Sequence, residues 1–195
     1  MSVSRREALA RLVAITGASV IGAEYWLSGC ARPDRSGRAF TPAEISLLDE
    51  IADTIIPATT TPGAKEAGVG RFMAMMVTDC YDAANHRVFS DGIAKVNAAA
   101  RRRFGKPFTE CAPADRTTLL NALDREQRAY GAKKPADAPP HYFRLMKDLT
   151  LLGYFSSEIG ATQALRYVES PGKYLGDVPY QKGDRAWVNP SRRIS

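Results

Sequence analysis

A chain of 195 residues with 45% hydrophobic and 25% charged residues is long enough to bury a core and too apolar to remain a disordered polymer. Its formal net charge of +6 permits an acidic partner. The only compact basic run in the middle, Arg101-Arg102-Arg103, lies among alanines at the end of a helical pattern, which suits a solvated helix end and argues against nucleic acid as a partner.

Residues 1–30 present a basic start (Arg5, Arg6, Arg11), an apolar centre from Leu12 to Ala23, and a small-residue end at Leu27-Ser28-Gly29-Cys30. The centre is shorter than the roughly 20 residues of a spanning helix, and Thr16, Gly17, Ser19 and Gly22 keep it only mildly apolar. A mild centre behind Ser4-Arg5-Arg6 resembles a twin-arginine signal, the route that carries folded proteins. Leu27-Ser28-Gly29-Cys30 resembles a lipobox, in which the cysteine is acylated and becomes the new N-terminus. The alternative is an uncleaved anchor in which Cys30 is incidental. The expectation is a periplasmic protein exported by the twin-arginine route and held at the membrane surface through a lipid on Cys30. Residues 31–39 are polar and aperiodic and are expected to form a tether.

Residues 40–195 are expected to form a single all-α domain of about five to six helices. Thr41-Pro42-Ala43-Glu44 sets a capping box with proline at the first helical position, Ile45, Leu48, Ala52 and Ile55 follow at helical spacing, and Pro57 ends the run. After a Thr/Pro/Gly-rich loop from Thr59 to Gly68, a second helix spans Val69 to about Tyr81, with Phe72, Met73, Met76 and Cys80 on one side. A third runs from about Asn85 to Phe104 on Val88, Phe89, Ile93, Val96 and Ala100, and a fourth from Pro113 to Arg128 on Leu119, Leu120 and Leu123. Lys133 to Pro140 reads as a loop; a helix then runs from His141 or Tyr142 to Phe155, and a short one from Glu158 to Tyr167. From Ser170 the chain is irregular and Gly/Pro-rich, yet still carries Tyr174, Leu175, Val178, Tyr180, Trp187 and Val188, which need something to lie against.

The search for chemistry gives no catalytic, metal-ligating or cofactor-binding residues. The only histidines, His86 and His141, sit outside any ligand-like cluster. Gly68-Val69-Gly70 begins a dinucleotide fingerprint without its third glycine or a preceding strand. Asp49, Glu50 and Asp53 cluster on the first helix, but Asp49 and Asp53 fall on the face away from Ile45, Leu48 and Ile55, so a solvated polar face is expected over an acid/base pair. Cys80 and Cys111 leave three outcomes open: a mutual disulfide, a bond to another chain, or, for Cys80, a small buried side chain.

Two stretches, Phe40–Met73 and Tyr142–Asp177, resemble the gluconate 2-dehydrogenase subunit 3 family. The resemblance rests on Asp53-Thr54-Ile55-Ile56-Pro57, Thr61-Pro62-Gly63-Ala64, Ala67-Gly68-Val69, Leu151-Leu152-Gly153-Tyr154-Phe155-Ser156-Ser157-Glu158, and Pro171-Gly172 followed by Tyr174. It implies a non-catalytic small subunit that escorts and stabilises a large flavin-dependent sugar or sugar-acid oxidoreductase, often with a cytochrome c subunit as electron acceptor. FAD would then belong to the large subunit. Candidate partner contacts are Gly153, Tyr154, Phe155, Glu158, Tyr174 and Trp187, with ordinary self-packing as the competing role. The alternatives in function are a stand-alone periplasmic lipoprotein with a structural role and an enzyme with an unrecognised site.

Overall fold

The computed structural model describes residues 39–168, 172 and 177–188. Among these it holds five α-helices, one 3-10 turn and one π-turn, and no strand. Helix α1 (Pro42–Ile55) starts on the expected box: the Glu44 N–H donates to Thr41 Oγ1 and the Thr41 N–H donates to Glu44 Oε2 at 2.8 Å. It buries Leu47, Leu48, Ile51 and Ala52 and stops at Ile56, which precedes Pro57 and leaves the helical region at φ −128° and ψ 84°.

Helix α2 (Val69–Cys80) follows Gly68, a left-handed N-cap that has no side chain to offer. The missing acceptor comes from α1, where Asp49 Oδ1 takes the Gly70 N–H at 2.9 Å. This joins two helices through one capping contact, and it places a carboxylate at the positive end of α2. Helix α3 (Ala83–Phe104) is capped by Asp82, whose carboxylate accepts the Asn85 N–H at 2.7 Å, and ends on left-handed Gly105. The 3-10 turn Phe108–Glu110 sinks Phe108 completely.

Helix α4 (Pro113–Lys133) continues beyond the expected end at Arg128. The following loop folds back to hold the extra turn: the Tyr130 hydroxyl donates to the Pro139 carbonyl at 3.0 Å, and Lys134 Nζ donates to the Ala138 carbonyl at 2.8 Å. Helix α5 (Tyr142–Ser156) begins at His141, whose Nδ1 accepts the Phe143 N–H. It packs against each of the other four and carries Phe143, Met146, Leu149 and Tyr154 into the core. The short helix expected from Glu158 to Tyr167 forms as a π-helix, Gly160–Ala164, and ends at Leu165. A Cβ at Gly160 would lie 1.8 Å from the Tyr154 carbonyl oxygen, so only a bare Cα fits at its start. Among the described residues no helix is long and apolar enough to cross a membrane.

Candidate partner-binding surface

The two sides of α5 differ sharply. The inner side buries Phe143, Met146 and Thr150, with the Thr150 hydroxyl donating to the Met146 carbonyl at 2.8 Å. The outer side carries the Arg144–Asp148 ion pair, 3.1 Å apart, and then turns apolar. Leu151, Leu152 and Phe155 are 40%, 51% and 41% exposed, far more than a helix with an aqueous back usually leaves.

Of the residues expected to contact a partner, Gly153 and Tyr154 are instead spent on the domain itself. Gly153 is buried with the Phe72 ring of α2 against it, and Tyr154 is 2% exposed with its hydroxyl donating to the Pro62 carbonyl at 2.9 Å. Small size and aromatic area, taken as signs of a docking surface, here serve helix packing. Phe155 and Glu158 are exposed. The Glu158 side chain makes no ion pair among the described residues. Trp187 remains 45% exposed, with the Arg166 guanidinium 4.7 Å from its ring centroid and a parallel bridge joining the two backbones. Arg5, Arg6, Cys30 and Tyr174 lie outside the described residues. Leu151 and Leu152 belong to the signature but are not among the contacts expected from sequence, although helical spacing from Met146 and Thr150 puts them on the outer side.

The two signature stretches converge. The Tyr154–Pro62 hydrogen bond spans 92 positions and ties the end of α5 to the loop 57–68. That loop is closed by Ala64 N–H donating to the Ile56 carbonyl at 3.0 Å and by Gly63, where a Cβ would stand 2.5 Å from Asp53 Oδ1. On the far side of the turn, Ser157 Oγ donates to the Tyr154 carbonyl and accepts the Gly160 N–H. Most of the signature therefore builds a scaffold, and it leaves Leu151, Leu152 and Phe155 at the surface beside it.

Two of the three carboxylates expected to form a solvated face of α1, Asp49 and Glu50, are engaged instead. Asp49 caps α2, and burial raises its carboxyl above the ordinary value despite the Gly70 hydrogen bond. Glu50 bridges Lys65 at 2.6 Å and Arg116, with only 16% of its side chain exposed. Burial alone would raise the Glu50 carboxyl; the hydrogen bond from Lys65 and the charge of Arg116 outweigh it and hold the group below its ordinary value.

Among the described residues no group of His, Cys, Asp and Glu is placed to hold a metal ion. His86 is buried with Nε2 unpartnered and Nδ1 3.4 Å from Ser90 Oγ, and His141 combines a capping role with Glu126, 3.5 Å from its Nε2. Cys80 and Cys111 are both free thiols. Cys111 is the buried one; Cys80, the last residue of α2, is exposed rather than packed with Met73 and Val77.

The model of one family, Gluconate 2-dehydrogenase subunit 3, matches residues 42–172, a span that includes all five helices and most of both signature stretches. No curated protein and no solved structure matches the chain.

Proposed function

The chain belongs to the gluconate 2-dehydrogenase subunit 3 family, and on that premise we propose that it is the non-catalytic small subunit of a flavin-dependent sugar or sugar-acid dehydrogenase. In this reading the large subunit carries FAD and the chemistry, and a cytochrome c subunit takes the electrons. The small subunit supplies the export signal: Arg5 and Arg6 address the folded complex to the twin-arginine route, and Cys30 anchors it to the membrane surface by its lipid. The observation that carries the reading is the family match itself. The uncovered Leu151, Leu152 and Phe155 support it, because three large apolar side chains on the outer side of a core helix are surface that a second chain would bury.

The test is co-export. In a strain that lacks this chain, the large flavoprotein should stay in the cytoplasm, and Arg5→Lys/Arg6→Lys should reproduce the defect. A flavoprotein that still reaches the periplasm would end the escort role. Cys30→Ser should move the complex from the membrane fraction to the soluble periplasm, and unchanged fractionation would remove the lipid anchor.

A further inference from the structure

A groove of about 780 Å³ runs between α3 and α4 and closes at the start of α5. Ala98, Ala99 and Ala122 keep it open, because side chains that end at Cβ leave a seam between two helices unfilled. One wall carries Lys95, Arg102 and Arg103. None of these three has a carboxylate partner among the ion pairs of the described residues. Arg102 and Arg103 sit in the last turn of α3, where positive charge offsets the helix dipole. Lys95 lies about two turns earlier, beyond the reach of that effect, with Nζ 5.5 Å from the centroid of the Tyr142 ring. The acid in the lining, Glu126, faces His141.

We infer that this groove docks an acidic, apolar-faced segment of a partner polypeptide, with its carboxylates on Lys95, Arg102 and Arg103 and its apolar side on the alanine floor. Length favours a polypeptide over a small anion. At 1.5 Å per residue the α3 wall from Val88 to Arg103 extends roughly 22 Å and the α4 wall from Leu119 to Tyr130 roughly 16 Å. That is the length of a helix of about eleven to fifteen residues or an extended run of about five to seven. The groove lies at the start of α5, whereas Leu151, Leu152 and Phe155 lie at its end, so the two surfaces can be occupied together. The inference rests on the subunit reading only for where the segment comes from.

The test uses the purified full chain and fluorescein-labelled peptides of about twelve residues. A Leu-Glu-Glu-Leu repeat should bind about tenfold or more tightly than its Leu-Gln-Gln-Leu counterpart, and added salt should weaken it. Lys95→Glu/Arg102→Glu/Arg103→Glu should lose the Glu peptide and gain a Leu-Lys-Lys-Leu repeat; the gained binding shows that the variant is folded. Ala98→Trp should block the groove for the wild-type pairing. Equal binding of the Gln peptide, or Glu-peptide binding that survives charge reversal, overturns the inference. So does binding of anionic lipid vesicles but not of the peptide, which would make the surface a membrane contact. No second subunit is present in the assay, so a failed escort role appears as normal peptide binding with a flavoprotein that reaches the periplasm without this chain, and a failed groove as lost peptide discrimination with export that still requires this chain.

Discussion

Gly153 lies against the Phe72 ring so closely that a Cβ at position 153 would stand 2.5 Å from Phe72 Cδ1. This contact sets how near α5 can come to α2, and it brings Tyr154 within reach of Pro62. Gly153→Ala should therefore destabilise the domain by about 1–3 kcal/mol through overpacking, read from denaturant unfolding. Phe72→Leu in the same chain should recover part of the loss, since the clash is with the ring. Gly131→Ala is the control: nothing lies within 4 Å of its added Cβ, and in the last turns of α4 the change should be neutral or stabilise by up to about 1 kcal/mol.

The Glu50 bridge gives an acid dependence with a definite sign. Its carboxyl is held below the ordinary value of 4.5 in the folded state, so its stabilisation is present above that pH and is lost as the pH falls through the lower folded value. Glu50→Gln should cost about 1–3 kcal/mol near neutrality, because Arg116 is left partly buried and unpaired. The gap from wild type should narrow below about pH 4.5. Lys65→Ala, at an exposed partner, should cost under about 1 kcal/mol. Equal pH profiles for wild type and Glu50→Gln would contradict this assignment.

Tyr142 predicts the alkaline limb. Burial, assisted by the charge of Glu126, pushes its phenol up to about 12. Unfolded chains ionise near 10, so the stabilisation is intact below that and fades as pH rises from 10 towards 12. Burial raises the Tyr81 phenol as well, so absorbance of the phenolate should show a late-titrating component in the folded protein that includes Tyr142. Tyr142→Phe should shrink that component and flatten the loss of stability.

Leu152→Glu/Phe155→Glu separates folding from assembly. Both side chains are about half exposed, so the unfolding midpoint of the isolated chain should change by under about 1 kcal/mol. If a second subunit covers this surface, the pair should weaken co-purification at least tenfold, because two apolar anchors are replaced by charges that would be desolvated. Unchanged co-purification would move the interface elsewhere on the molecule.

The helices were legible because their signals are local. Thr41 and Glu44, the prolines at 42, 57 and 113, and Gly105 each act within one turn of the boundary they set. Most of the misses are matters of distance along the chain. Asp49 and Glu50 looked solvated from the period of α1 alone, and their partners are Gly70, Lys65 and, 66 positions away, Arg116. Gly153 and Tyr154 looked like contact surface until Phe72 and Pro62 were placed beside them. The π-turn depends on how Gly160 meets the Tyr154 carbonyl, which no periodicity encodes. The outer side of α5 was readable in principle: once Met146 and Thr150 are inside, Leu151, Leu152 and Phe155 must be outside.

The Arg166–Trp187 bridge has a consequence for how the chain tolerates change. Arg166 N–H donates to the Ala186 carbonyl at 2.7 Å and Val188 N–H to the Arg166 carbonyl at 3.1 Å, so residues 167–186 begin and end at the same place. Extra length inside such a closed excursion is inexpensive: doubling it adds only about 0.6 kcal/mol of closure entropy. An epitope or a fluorescent label inserted beside Gly183 should therefore be accommodated. The loop 57–68 is the opposite case, since an inserted residue there would pull Pro62 away from Tyr154 and separate the two ends of the fold.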